Sequence, residues 1–378
     1  MVILQTITLL FSISLIGYFI LLLVFIYGNR IPAPVLKPGP PFSPIVSVVV
    51  AIRNGAAALP QLISDLSLQL TDYPLEFILV DDKSSDGTDQ LIAECCRKDT
   101  RFKAANSKDG DSRLAHKKRA LAAGIDLARG NVLLFTDADC RLSPHWVSSM
   151  AGAMQKGGEY IVGYALPRPG NSLASQYQKL DFFMLMLGAR AMVHMEHPWA
   201  CTGQNQGYRM ELYRKGDGFI PLAHYLQGDD SLFLQHLRSI ATFQTVFLND
   251  YEGRVTGRPE ITWRGLLHQR LRWAGDANAM WRHNHWFFIA ILCTFLANSG
   301  LALLLPVALY WTSLLPLWLL FFGLKLVLEG VLYWTGNRVF TEKLTWSAFL
   351  IWSLIQPFYI LTMGLGSFFA PRFGWRTR

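Results

Sequence analysis

Four apolar stretches decide what this 378-residue chain can fold into. Residues 1–29 contain no charged side chain, and the run 7–27 meets the roughly 20 residues that a helix needs to cross a bilayer. A cleaved secretory leader would show a basic start, a shorter apolar core and a small-residue cleavage site. None is present, which predicts a retained span. Three further apolar runs follow at residues 286–309, 317–334 and 346–370. Between the first run and these lies a long segment of mixed polarity. The expected architecture is therefore one helix, a soluble domain, then about three helices. A hydrophobic content of 51% and a mean hydropathy of +0.24 leave room for both.

Arg30 and Lys37 follow the first run, Arg338 and Lys343 separate the last two, and the connection "YWTSLLP" is uncharged. By the positive-inside rule this predicts an integral protein of the plasma (inner) membrane with its soluble domain in the cytoplasm. The tail "PRFGWRTR", with three arginines, falls outside if all four runs cross. Either the last run is re-entrant or one apolar run lies in the interface. The net charge of +8 fits an acidic partner such as a nucleotide, an anionic lipid or nucleic acid. The basic residues do not gather into a patch with aromatic platforms, so nucleic acid is not expected. Five cysteines without a C-x-x-C pair argue against a zinc site or a disulfide framework and agree with a reducing compartment.

Residues 31–44, "IPAPVLKPGPPFSP", hold six prolines and read as a stiff linker. Beyond it, "IVSVVVAI", "LEFILV" and "NVLLFT" are apolar without alternation, as strands covered on both faces are. The segments "LPQLISDLSLQL", "GTDQLIAECCRKD" and "LAHKKRALAAGIDLA" between them have helical spacing. Alternation of this kind predicts an α/β domain on a parallel, doubly wound sheet. After Trp146 the pattern becomes irregular and glycine-punctuated, as suits loops and short helices.

The chemistry gathers where these strands end. The first strand ends in "VAIRN", the second in "VDDKSSDGT" and the third in "FTDADC", so Arg53, Asp81, Asp82, Asp137 and Asp139 are expected at one sheet edge. Open α/β sheets keep their ligand crevice there. Four carboxylates in one place are costly unless cations or donors compensate. A hard divalent ion with oxygen ligands is the simplest compensation. Turn chemistry accounts for Asp86 and Gly87. It does not account for two acids directly after an apolar strand.

In sequence and order, "VDDKSSDGT" and "DAD" resemble the family 2 glycosyltransferases of the GT-A fold, over roughly residues 45–275. The resemblance implies that Asp81 and Asp82 contact the uridine part of a nucleotide-sugar. It implies further that Asp137 and Asp139 hold Mg2+ or Mn2+ and the diphosphate. Lys117 in "HKKRALAAGI" matches a family lysine, with Lys118 as the alternative register. "YLQGDDSLFLQHL" resembles the element whose second acid is the general base, here Asp230 beside Asp229. These two acids also suit a helix N-cap and first turn. "CTGQNQGYRMELYRKGDGF" resembles a segment lining the donor-sugar and acceptor pocket, and implicates Gly203 and Arg209.

"QRLRW" fits Q-x-x-R-W, found in cellulose, chitin and hyaluronan synthases and in ceramide glucosyltransferase. It implicates Gln269, Arg272 and Trp273: the arginine for the diphosphate, the tryptophan for the acceptor wall. The same stretch also reads as an interfacial amphipathic helix. His194 and His197 beside Glu196 carry little weight as a metal site, and Lys325 and Glu329, four apart in an apolar run, suit mutual neutralisation.

The chain thus divides into a span (1–29), a linker (30–44), a glycosyltransferase domain (45–259), an interfacial helix (260–283) and C-terminal helices (284–378). The resemblance implies inverting transfer of a hexosyl or N-acetylhexosaminyl unit from a nucleotide-sugar, UDP-linked, to an acceptor. Few polar residues in the spans are available to enclose an export path, which favours a membrane lipid over a growing polysaccharide. A processive synthase is the alternative, and an inactive membrane scaffold the reading from another class.

Overall fold

A computed structural model describes residues 2–37 and 42–369. Part of the linker (38–41) and the arginine-bearing tail (371–378) lie outside the described residues. In chain order the elements begin with α1 (Val2–Arg30), β1 (Val46–Ile52), α2 (Leu59–Ser67), β2 (Leu75–Asp81), α3 (Thr88–Lys98), β3 (Phe102–Asn106), α4 (His116–Leu127) and β4 (Val132–Phe135). Next come β5 (Arg141–Leu142), α5 (Trp146–Gln155), β6 (Tyr160–Gly163), β7 (Ala165–Pro167), α6 (Leu173–His194), β8 (Gln206–Arg209), α7 (Met210–Lys215) and α8 (Ser231–Ile240). The last are β9 (Thr245–Leu248), β10 (Val255–Gly257), α9 (Trp263–Ala277), α10 (Met280–His283), α11 (His285–Tyr310), α12 (Leu315–Val339) and α13 (Trp346–Ser367).

Two compact units result. Among the described residues, the α/β unit comprises 33–37, 42–168 and 196–258. Its main sheet runs β3-β2-β1-β4-β8-β6-β9, and a small sheet runs β5-β10-β7. Every residue of β1 and β4 is buried, as their unbroken apolar runs require. From β3 to β4 all pairs are parallel. The sheet is not parallel throughout, however: β8 runs antiparallel to β4 and β6. Its sequence "QGYR" lacks the apolar run that marked the other strands, so its direction could not be read from pattern. The strand "FKAAN" lacks an apolar run as well, because at the sheet edge only Phe102 is buried.

The reversal of β8 matters for the site. Gln206 pairs with Phe135 and Arg209 with Val132. The loop that precedes β8 therefore lies beside the D-x-D turn, and the strand's far end lies at the opposite edge of the sheet.

Among the described residues, the helical unit comprises 2–32, 169–195 and 259–369. Helix α6 belongs to it, packing on α1, α9, α12 and α13, so the span 45–259 drawn from sequence does not form one body. Seventeen of the 22 residues of α6 are buried, apolar nearly all round as an interior helix is. Four helical segments, Leu9–Arg30, His285–Tyr310, Thr312–Val339 and Trp346–Ser367, are long and apolar enough to cross a membrane. Inside their bundle Lys325 Nζ stands 2.8 Å from Glu329 Oε2. Tyr18 Oη donates to Glu329 Oε1 at 2.6 Å and Ser353 Oγ to Oε2 at 2.7 Å. The two charges neutralise each other as their spacing predicts, and Tyr18 and Ser353 bring α1 and α13 into the network.

Candidate active site

The site is built on the carboxyl ends of β1, β2 and β4. At the first two, the exit loops are laced together: Ser84 Oγ accepts from Asn54 N at 2.9 Å, and Asn54 Oδ1 accepts from Ser85 N at 2.8 Å. Asp86 accepts from Thr88 Oγ1 at 2.6 Å and from Ala56 N at 2.9 Å. It is a turn-forming acid, as its sequence context indicates. Gly87 follows at φ +89°, in the left-handed region that favours glycine. This bracing presents Asp81 and Asp82, 8% and 4% exposed, with Arg53 Nη1 3.9 Å from Asp82 Oδ2.

Beyond β4, a lysine joins two acids. Lys117 Nζ, from the first turn of α4, lies 2.9 Å from Asp137 Oδ1 and 2.9 Å from Asp229 Oδ2. Burial alone would push its ammonium toward neutrality, but Asp137 and Asp229 outweigh that and hold its pKa well above the ordinary value. Lys118 is turned away and buried, donating to the carbonyls of Leu222 and Tyr225. Of the two adjacent lysines it is Lys117 that faces these acids.

Gly228, at φ +115°, makes the turn that delivers Asp229 and Asp230 to this cluster. Asp230 caps α8, its Oδ1 accepting from Ser231 N at 2.5 Å, while Oδ2 accepts from Gly203 N at 3.4 Å. The capping reading of this acid therefore holds. Burial, and then the neighbouring Asp229 charge, push the Asp230 carboxyl up to about 6, against an opposing pull from Lys117. A carboxyl in that range is suited to take a proton near neutral pH.

Gly203 is placed where a side chain would not fit. A Cβ there would stand 2.8 Å from Lys117 Nζ and 3.2 Å from Asp229 Oδ2. The loop 201–205 therefore closes over the cluster at backbone distance. Its partner in the sequence reading, Arg209, is not at the site: it pairs with the start of β4, stacks on Phe42 at 4.1 Å and donates to Met154 O. The arginine that does reach the D-x-D turn is Arg168, whose Nη2 donates to Asp139 O at 3.4 Å. Nothing in "LPRPG" marks it, because the contact depends on β7 pairing with β10.

Asp137 and Asp139 are half-buried and offer hard oxygen donors. Among the described residues no three acidic, histidine or cysteine side chains converge as a complete metal cage. The pair thus fits an ion shared with substrate phosphates and water, the manner in which Mg2+ is commonly held. Cys140, next to these acids, and Cys201, next to Asp230, are buried and their thiols are pushed up by that burial. His194 is taken up by Ile31 O at 3.1 Å.

Gln269, Arg272 and Trp273 belong to the helical unit, on α9. Gln269 is 7% exposed and accepts from Gln178 Nε2 at 2.9 Å. The residue between them, Arg270, is ion-paired to Asp181 at 2.8 Å and lies 4.3 Å from the Trp273 ring.

A mixed α/β sheet with acids at the carboxyl ends of β2 and β4 and a reversed strand beside them is the GT-A glycosyltransferase fold. A mannosyltransferase from Pyrobaculum calidifontis, solved in complex with GDP-Man and Mn2+, superimposes with a TM-score of 0.63 over 97% of this chain and 99% of that one, at 18% identity. Residues 47–216 match the family model "Glycosyl transferase family 2". An uncharacterized glycosyltransferase of Synechocystis is 27% identical over 143 residues, 37% of this chain and 44% of the relative. An undecaprenyl-phosphate 4-deoxy-4-formamido-L-arabinose transferase of Aeromonas hydrophila is 30% identical over 127 residues, 31% of this chain and 36% of the relative. The chain spans less than half the length of the curated relatives it matches.

Proposed function

We propose that the protein transfers one sugar, hexosyl or N-acetylhexosaminyl, from a nucleotide-sugar, most simply UDP-linked, to a membrane lipid, with inversion at the anomeric carbon. The observation that carries this reading is the Lys117–Asp137–Asp229 cluster with Asp230 beside it, raised to about 6 by burial. Asp81 and Asp82 bind the nucleoside end of the donor, helped by Arg53. Asp137 and Asp139 hold Mg2+ or Mn2+. When bound, the ion neutralises the negative charge that develops on the leaving diphosphate. Asp230 accepts the proton of the attacking hydroxyl, and the carbon passes through oxocarbenium-like character, as glycosyl centres do. Lys117 pairs with Asp229 and restrains the pKa of Asp230. Gly203 lines the donor pocket. Arg272 serves the diphosphate and Trp273 the acceptor; these roles, and the inclusion of Gln269 among the binding residues, follow the Q-x-x-R-W resemblance.

The lipid acceptor is supported by four apolar helices and by relatives named as undecaprenyl-phosphate transferases. Q-x-x-R-W keeps a processive polysaccharide synthase as the second reading. The purified protein, given labelled nucleotide-sugars, Mg2+ or Mn2+ and membrane lipid, is expected to yield a glycolipid bearing one sugar. A long lipid-free polymer would establish the second reading instead, and no transfer to any acceptor would leave a scaffold. The catalytic unit is assigned to the cytoplasmic face of the plasma (inner) membrane, where protease protection in sealed vesicles tests it.

A further inference from the structure

Two adjacent lysines stand in the first turn of α4 and reach the same element by different routes. Lys117 meets the carboxylates of Asp137 and Asp229. Lys118, 1% exposed, meets backbone instead: its Nζ donates to Leu222 O, and to Tyr225 O at 2.6 Å. An ammonium withdrawn from water is costly unless its protons are bonded. An apolar side chain of the same length would fill that space without the cost. The choice of lysine therefore directs attention to the turn that it holds.

That turn leads directly to the acids of α8. Residues Ile220–Leu222 form a single 3-10 turn, and Tyr225 N returns to Leu222 O at 3.1 Å. Leu222 is fully buried and its side chain lies beside Gly228, where a Cβ would stand 3.8 Å from Leu222 Cβ and 3.4 Å from Leu232 Cδ1. Gly228 turns the chain at φ +115°, and Asp229 and Asp230 follow. From the other side the same acids are held by the chain around β8: Gln206 Nε2 donates to Asp229 O at 2.8 Å, and Ser231 Oγ to Cys201 O at 3.0 Å. Lys118 anchors the 222–228 side. All of these residues lie in the α/β unit.

We propose that Lys118 is a positioning residue for the general base: by fixing the carbonyls of Leu222 and Tyr225 it sets where Gly228 delivers Asp230, while itself buried away from both substrates. The proposal rests on the reading of Asp230 as the base and adds a residue that acts on it through the backbone. The two lysines divide the task. Lys117 engages a carboxylate of the acid pair, and Lys118 the turn that carries the pair. Placement of this kind matters to the rate, since a reacting group displaced by about 1 Å costs about 10²-fold.

Lys118→Met, similar in length and uncharged, tests this in the full chain purified in detergent. Affinity for the nucleotide-sugar, read by calorimetry, is expected to be unchanged, because Asp81, Asp82, Asp137 and Asp139 stand on strand exits that Lys118 does not touch. Turnover is expected to fall by about 10². The acidic limb of the rate profile should move down from about 6 toward the ordinary carboxylate range, since burial is the main cause of the raised Asp230 carboxyl and a loosened turn admits water. Asp229 and Lys117, which also face Asp230, are unaltered in this variant. Loss of Lys117 moves the same limb up, so the sign of the shift separates the two lysines. Backbone hydrogen exchange, followed by mass spectrometry, should rise over residues 220–230 and stay native over 46–52 and 132–139. Lys118→Gln, which keeps a donor, is expected to fall between the native chain and Lys118→Met, and serves if the methionine variant does not fold. Native turnover with a native limb would overturn the proposal, as would a limb that moves up. Equal losses of donor affinity and turnover, with exchange raised throughout the domain, would reduce Lys118 to a general core residue and overturn it as well. If the native protein transfers no sugar, a rise in exchange confined to 220–230 would support the tether and sink the transferase reading.

Discussion

Lys117 Nζ stands 2.9 Å from Asp137 Oδ1 and 2.9 Å from Asp229 Oδ2, so one ammonium ties the D-x-D turn to the acids that open α8. Their separation in sequence is bridged by a single side chain. Removing it leaves a buried carboxylate, Asp229, without its counter-charge, and buried charges without partners are costly.

Lys117→Met is therefore expected to weaken nucleotide-sugar binding and to shift the pH profile. Lys117 pulls the Asp230 carboxyl down, and its loss lets that pKa rise above about 6. The acidic limb of the rate profile should move to higher pH, with Lys117→Arg restoring part of the shift. An unmoved limb would show that the lysine does not act on the base.

Asp230→Asn is expected to lower turnover by roughly 10²–10⁴ while donor binding is retained. In the native protein, activity should rise with pH through about 6, since the base works only when deprotonated. The stability consequence has the opposite sense. The folded pKa is raised above the unfolded one, so the folded state binds more protons in the window between them and loses stability as pH rises toward about 6. Asparagine also caps helices well, so the variant should melt higher than the native chain at pH 8, and the difference should vanish below about pH 4. Thermal unfolding at both pH values measures this.

Much of this site was legible because its acids follow unbroken apolar strands, a pattern that turn chemistry does not explain. Asp81, Asp82, Asp137 and Asp139 come to one edge for that reason. Arg209 misled because glycosyltransferase-like residues flank it, and only the antiparallel register of β8 shows that it points to the other end of the sheet. Arg168 was invisible because its place depends on a parallel pair between distant short strands. The same holds for α6: its composition suits an interior helix of either unit, and only packing against α1, α9, α12 and α13 assigns it to the helical one.

Asp139→Asn is expected to abolish the stimulation by Mg2+ or Mn2+ and to weaken donor binding. Even residues behind the ligands of a metal shift affinity by roughly 10–100-fold, and a direct ligand should exceed that. Titration of the ion by calorimetry in the presence of the nucleotide-sugar separates this from misfolding. Unchanged activity at all ion concentrations would remove Asp139 from the ligand set.

Gly203→Ala tests the closeness of the 201–205 loop. The new Cβ would stand 2.8 Å from Lys117 Nζ, nearer than Cβ contacts allow, so the lysine must move off Asp137 or Asp229. A large loss of activity with an intact far-ultraviolet circular dichroism spectrum is expected. Full activity would mean that the loop can retreat without disturbing the cluster.

Within the membrane bundle, Lys325 and Glu329 are both fully buried, and each is expected to depend on the other. Breaking a buried pair by removing one partner costs about 3–5 kcal/mol, whereas replacing both by apolar groups of similar volume is often neutral. Lys325→Met alone should leave Glu329 with only Tyr18 and Ser353 as donors and should lower the melting temperature in detergent. Glu329→Gln alone should do the same by leaving an ammonium buried beside Ser353. The double variant Lys325→Met, Glu329→Leu should recover much of the loss, because nothing charged is then left in the bundle. If it melts as low as the worse single variant, the pair contributes through Tyr18 and Ser353, which it draws in from α1 and α13, more than through mutual neutralisation.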